Sequence, residues 1–231
     1  DKYKELNLIE VKSTGSISKN RERGINFSVN SGYEVLIFAD SDDYLAKNRI
    51  EVCVKKLKKY DLVVNDLSLF DNNGIIFEYF LSTRVETNSE VSLDFIMDKN
   101  IFGMTNTAIK INAIKNKPII FDESLIAVDW YFFSVLLVRG AMAVFTKDTK
   151  TFYRQSSDNI VGLKEASSES LVQGLLVKKK HYELMKKKSS KYDKYFNDIN
   201  ELADKYTDVE YLNLVKQQCS DNFLWWEEVK G

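Results

Sequence analysis

Val35-Leu36-Ile37-Phe38-Ala39-Asp40-Ser41-Asp42-Asp43 decides how this chain is read. An apolar run, rich in β-branched and aromatic residues, ends in three carboxylates within four positions. The run is too short for an ordinary helix and reads as a strand buried on both faces, as in mostly parallel sheets. In open α/β sheets ligands bind at the carboxyl ends of strands. Three acids so close together repel unless a cation or hydrogen-bond donors offset them. The alternating pair Asp40 and Asp42 suits a hard divalent cation, Mn²⁺ or Mg²⁺. The competing reading is an acidic turn in which Asp43 caps the next helix.

Working outward, Leu6 to Val11 alternates like a short strand. Residues 17–30 read as a helix capped by Ser16 or Ser18 and closed by Gly32. Strand, helix and strand together predict a βαβ unit with a parallel pair. A doubly wound sheet of this kind wants one or two further strands ahead of residue 1. Beyond the acids, 46–59 is an amphipathic helix and 61–66 a strand. Asp71-Asn72-Asn73-Gly74 is a hairpin turn between apolar arms. Residues 92–99 read as a short helix, and 105–114 as a strand and a short helix. Residues 128–138 form an apolar helix that Gly140 closes. Two short strands follow at 143–145 and 151–154.

From about Glu165 the strand signal fades and three helices follow, the last spanning 209–229. The expected organisation is therefore an α/β domain over 1–162 and a C-terminal helical region over 163–231. Lysine groups at 178–180 and 186–188 flank His181-Tyr182. They read either as a solvated helix face or as a contact with an anionic membrane surface. Phe223-Leu224-Trp225-Trp226 reads as packing against the domain or a second subunit, or as membrane insertion.

The bulk numbers narrow the chemistry. The chain has 231 residues, 44% hydrophobic and 29% charged, as expected for one substantial globular core. Lys plus Arg is 33 against 34 Asp plus Glu, so nothing in the charge demands nucleic acid. Cys53 and Cys219 lack metal-ligand spacing and point to a reducing, cytoplasmic setting. No run approaches a membrane span. His181 is the sole histidine. Acid–base work therefore falls to carboxylates, Lys, Tyr or Cys.

Three blocks resemble the inverting glycosyltransferases of family 2. The first is Ile17-Ser18-Lys19-Asn20-Arg21-Glu22-Arg23-Gly24-Ile25, followed by Gly32 and the Asp40-Ser41-Asp42-Asp43 strand end. Arg21, Gly24 and Ile25 match, and Glu22 stands where Asn is usual. The second is Phe121-Asp122-Glu123-Ser124-Leu125 with Val128-Asp129-Trp130, where the usual Glu-Asp pair keeps only Asp129. The third is Tyr153-Arg154-Gln155-Ser156-Ser157-Asp158-Asn159-Ile160, with Ser156 in place of the common His.

The resemblance implies a GT-A-like, Rossmann-like mixed sheet, mostly parallel and flanked by helices. It also implies transfer of a sugar, with inversion, from a nucleotide-diphosphate donor to a saccharide or lipid-linked acceptor. Asp42 and Asp40 would hold the metal. Arg21, Asp40, Ser41, Asp42 and Arg154 would bind the donor, Asp129 would be the base, and Trp130 would stack on an acceptor sugar. Each has a plainer role: Asp129 as a first-turn helix residue, Trp130 as core, Arg154 in a surface ion pair. The strand, helix and Asp-Asp-Gly-Ser-type strand end that open the family's fold are not in this sequence. A chain with only this part of the donor site is expected to be inactive alone. Association with the inner face of a membrane and homo-oligomer formation are further expectations. A degenerate GT-A-like interaction domain and a nucleotidyltransferase on a related fold are the alternatives.

Overall fold

A computed structural model describes residues 7–115, 117–155, 167–219 and 223–229. Helix α1 (Ile17–Asn30) begins where the Ser16 hydroxyl accepts the Lys19 N–H at 3.4 Å. It ends before Gly32, whose φ of +79° suits a residue without Cβ. Then come β1 (Val35–Ile37), β2 (Tyr44–Leu45), α2 (Arg49–Leu57), β3 (Leu62–Asp71) and β4 (Gly74–Phe77). They are followed by β5 (Thr107–Lys110), α3 (Asn112–Lys115), α4 (Val128–Val138) and β6 (Ala143–Arg154). Three helices, α5 (Ser168–Met185), α6 (Asp193–Lys205) and α7 (Val209–Gln218), complete the described elements.

The strands form one mixed sheet in the order β1-β5-β3-β6-β2, with β4 hairpinned onto β3. The α/β class with helices against a mixed sheet holds, but the balance of strand directions differs from expectation. Among the described strands β3 and β6 are parallel, and the other pairings are antiparallel. Residues 7–11 form no strand, so α1 is not a crossover between parallel partners. β1 pairs with β5 in antiparallel register and is half-buried at one end of the described sheet, not covered on both faces. A strand at a sheet end has one flank without a neighbour, and three residues are too few to bury both faces. The longest doubly buried run is in β3, buried from Leu62 to Phe70.

The two short strands read at 143–145 and 151–154 are one strand, β6. Its register against β3 shifts between Asn65 and Asp66, where Thr146 and then Lys150 stand opposite. The last helix stops at Gln218, and residues 223–229 return to the sheet domain, where Asn100 donates its N–H to the Trp225 carbonyl at 2.9 Å. The 162/163 boundary and Ser156 to Ile160 lie outside the described residues.

α4 is buried on all sides from Trp130 to Leu136, as its nearly uniform apolar sequence requires. Phe38, just past β1, meets Phe132 and Phe133 edge-on at 6.3 and 6.2 Å. On the opposite side Trp130 stacks flat on His181 of α5 at 3.8 Å. α4 thus joins the strand end to the C-terminal helices through one continuous apolar core.

A buried polar hub fixes the loop from Asn100 to Asn106. The Asn106 Oδ1 accepts the Gly103 N–H at 2.7 Å, and its Nδ2 donates to the Asn65 and Ile101 carbonyls at 3.0 and 3.1 Å. Asn65 in turn accepts from Arg49 Nε at 2.8 Å and donates to Thr151 Oγ1 at 3.1 Å. Removing Asn106 leaves buried partners unsatisfied, and each such loss costs about 1–3 kcal/mol. Asn106→Ala is therefore expected to destabilise the fold by on the order of 3 kcal/mol, a Tm drop of roughly 6–12 °C at this chain length. A melting curve unmoved within about 2 °C would contradict this assignment.

Candidate functional site

β1 delivers the acids. The Phe38 N–H donates to the Thr107 carbonyl at 3.2 Å, holding the strand end against β5. The chain then turns, with the Asp43 N–H on the Asp40 carbonyl at 3.3 Å, and fans out the three carboxylates. Each finds a different environment. Asp40 is ion-paired with Arg21 of α1. Asp43 accepts the Arg154 N–H at 2.8 Å, which ties the turn to β6. Burial pushes Asp43 up to about 6, helped by its neighbours Asp42 and Asp40 and opposed by Thr105 and the Arg154 amide. Asp42 is exposed, and its carboxylate has no hydrogen-bond partner among the described residues.

Asp40 and Asp42 face a cavity of about 320 Å³. Arg21, Asp40 and Asp42 line one part of it, and Asp129 of α4 joins them from a distant stretch of chain. Gly103 to Thr105 of the Asn106-held loop form another part, with Tyr153 of β6 and Trp225 and Trp226 of the C-terminal segment. Asp129 sits in the first turn of α4, where its Oδ1 accepts the Trp130 N–H at 2.7 Å. Burial raises its carboxyl to about 7. The nearby Asp40 adds to the shift, while the Trp130 amide and Arg21 oppose it. A carboxyl poised near neutrality in a cleft is equipped to take a proton at working pH.

The structure separates the other sequence-chosen residues from the cavity. Ser41 is exposed on the turn and does not line it. Arg154 braces the turn from outside: its Nε donates to the Asp42 carbonyl at 3.2 Å, its Nη1 to Asn72 at 3.3 Å, and its guanidinium lies 4.6 Å over Phe70. Trp130, expected to stack on an acceptor sugar, is fully buried, with Nε1 donating to the Ile96 carbonyl at 2.7 Å. His181 covers its face. It is a core residue, because an apolar helix buried on all sides leaves its ring no solvent face. Glu22, the departure from the family pattern, accepts the Phe121 N–H at 2.6 Å and pairs with Lys19. It clamps α1 to the segment that leads into α4.

Tyr153, Trp225 and Trp226 were not chosen as site residues from the sequence. Tyr153 opens the third family-like stretch, next to Arg154, so the sequence carries a signal for it. The two tryptophans carry no spacing that places them beside Asp40. The lysine groups are largely occupied within the chain. Lys178 is buried and donates to the Val229 carbonyl at 2.8 Å, Lys180 reaches Asp122 and Glu183, Lys187 reaches Glu183, and Lys186 lies over Phe196. No helix among the described residues is long and apolar enough to cross a membrane.

The raised Asp129 has a consequence for stability. Between its ordinary value of 3.8 and about 7, the folded chain holds a proton that the unfolded chain has released. Stability from this group therefore falls as pH rises through that window, and the loss is complete above 7. Asp129→Asn is expected to melt higher than the parent at pH 8, with the advantage vanishing at pH 4. Equal melting temperatures at both pH values would refute the shift.

No protein-family model and no curated protein sequence matches the chain. Solved structures do. The structure of S. aureus TarS residues 1–349 in complex with UDP-GlcNAc superposes with a TM-score of 0.53 at 20% identity, covering 78% of this chain and 52% of that one. A second TarS 1–349 structure gives 0.48 at 20% identity, over 78% and 50%. The chain thus spans about half the length of the TarS chains it matches. At this identity the likeness is one of fold alone, a GT-A-like mixed α/β fold.

Proposed function

We propose that this protein transfers a sugar from a nucleotide-diphosphate donor to a saccharide or lipid-linked acceptor, with inversion and with a divalent cation. The observation that carries the reading is the convergence of Asp40, Asp42, Arg21 and Asp129, from three separate segments, on one cavity. That the similar TarS structure holds UDP-GlcNAc favours a nucleotide-sugar donor and suggests UDP-GlcNAc as the first probe.

Inversion requires a base on the face of the sugar opposite the leaving group. In the proposed step the acceptor hydroxyl gives its proton to the Asp129 carboxylate. Its oxygen forms a bond to the anomeric carbon, and the bond from that carbon to the diphosphate breaks with its electron pair. Asp129 is held for this by the Trp130 amide, next to Ile126, Ala127 and Val128 of the cavity lining. Arg21 pairs with Asp40 and holds that carboxylate in place at the cavity.

The residues fit a divalent cation of modest protein coordination. No cluster of three acidic, His or Cys ligands exists among the described residues, so an all-protein cage is not offered. Mg²⁺ is commonly held by one or two carboxylates together with substrate phosphates and waters. Asp42, unpartnered and exposed to the cavity, would supply that carboxylate, with Asp40 beside it. When bound, the cation would offset charge developing on the leaving diphosphate.

The test uses the full-length encoded protein, with UDP release from UDP-GlcNAc as readout. Asp129→Asn is expected to bind UDP-GlcNAc within about twofold of the parent while turnover falls by roughly 10²–10⁴-fold. Asp42→Asn is expected to lose the gain in UDP affinity that Mn²⁺ gives the parent. Undiminished turnover in Asp129→Asn would remove that residue from the chemistry. Absence of metal-dependent nucleotide binding in the parent would overturn the donor assignment.

A further inference from the structure

Successive side chains of a strand point to opposite faces of its sheet, and β6 sorts its last four residues in this way. Phe152 and Arg154 share one face: Phe152 stacks on Tyr44 at 4.5 Å, and the Arg154 guanidinium lies over Phe70. Thr151 and Tyr153 share the other. Thr151 joins the buried hub, where its Oγ1 accepts from Asn65 Nδ2 and donates to the Thr105 carbonyl, both at 3.1 Å. Tyr153, two positions on, stands opposite Leu69 of β3 and lines the cavity. Strand alternation thus delivers one phenol to the face that carries the acids.

Its place is fixed from both sides. The neighbouring Arg154 N–H is bonded to Asp43, so the acid turn and Tyr153 keep a set spacing. The Tyr153 ring meets Trp225 edge-on at 5.8 Å. Unlike the two tryptophans, Tyr153 is only half-buried.

The cavity is rich in acceptors and poor in donors. An ionised carboxylate accepts hydrogen bonds and donates none. Among the described side chains that line the cavity, the donors are Arg21, Thr105, Tyr153 and the two indoles. Arg21 is engaged by Asp40, and Thr105 and both indoles are buried. Burial pushes the Tyr153 phenol well above its ordinary range, and Asp43, Asp129, Asp40 and Asp42 all add to the shift. A hydroxyl that senses Asp129 of α4 and the acids of the strand end together lies between them.

We propose that Tyr153 is a further substrate-binding residue of this site, whose hydroxyl donates a hydrogen bond to an oxygen of the transferred sugar. The proposal rests on the nucleotide-sugar reading of the acids. In that reading the anomeric carbon lies between the base Asp129 and the diphosphate held near Asp42, so the sugar ring occupies the space that Tyr153 lines. The ring's hydroxyls can donate to the carboxylates around them, and their oxygens call for a donor in return. A phenol supplies that donor without adding a positive charge that would compete with a cation for the acids.

Tyr153→Phe removes the hydroxyl and keeps the ring against Trp225. UDP and UDP-GlcNAc are each titrated by calorimetry, with Mn²⁺ present, into the full-length parent and this variant. The expected result is UDP-GlcNAc bound roughly three- to tenfold more weakly, with UDP held within about 1.5-fold. The KM for UDP-GlcNAc in the UDP-release assay is expected to rise by the same factor. The melting temperature without ligand is expected to stay within about 3 °C of the parent.

Unchanged affinity for both ligands would remove the hydroxyl from the site. Equal losses for both, with or without a lowered melting temperature, would assign it to the diphosphate or to the fold. Either result overturns the proposal and leaves the nucleotide reading standing. A parent that binds UDP but not UDP-GlcNAc overturns the sugar contact and keeps the nucleotide. A parent that binds neither overturns both.

Discussion

Crowded carboxylates govern this structure. Asp40, Asp42, Asp43 and Asp129 lie close enough to perturb one another in and around one partly desolvated cavity. Like charges in such a place cannot all persist without offsets. The molecule supplies a different offset for each acid. Arg21 neutralises Asp40, the Arg154 amide and a raised proton affinity accommodate Asp43, and Asp129 is poised to hold a proton until about neutral pH. Asp42 receives none from the described side chains. The cavity is therefore set up to receive positive charge at one acid and to take up a proton at another, as the proposed sugar transfer requires.

The scaffold around the acids serves their spacing. β3, buried along nearly its whole length, carries Asn65, and through it the Asn106 hub that shapes the cavity floor. α4, apolar on every side, can only sit inside the molecule, and that places Asp129 in its first turn opposite the strand end. α5 packs on the far side of α4 through the Trp130–His181 stack. Its Gly174 and Lys178 receive the returning C-terminal segment. The helical region thus shares the core of the sheet domain and contributes residues to the same cavity.

Much of this was legible in the sequence, and what was not has physical reasons. The acids at 40–43 and the apolar run before them marked a ligand-bearing strand end, and the blocks around Arg21 and Asp129 led to residues that do meet. Local signals worked where local physics decides: Ser16 capping α1, Gly140 ending α4, Asp71 to Gly74 turning a hairpin. Strand direction and position did not follow, because β1 is three residues long and its pairing with β5 depends on chain seventy residues away. Burial of both faces was assigned to β1 when it belongs to β3, since an apolar run alone does not reveal a sheet's edge. Trp130 looked suited to a sugar because it adjoins Asp129, yet adjacent positions on a helix point about 100° apart, and only one of the two faces the cavity. Trp225 and Trp226 were visible as a bulky pair, but nothing local announces that a segment will fold back some two hundred residues to reach Asp40.

The central claim is that the crowded cavity makes Asp129 a base that works near neutrality. The dependence of kcat/KM on pH, measured as UDP release from UDP-GlcNAc by the full-length protein, tests it most directly. The account predicts a rise of about tenfold per pH unit below 7 and a plateau above it. A profile flat between about pH 5 and 8 would contradict it.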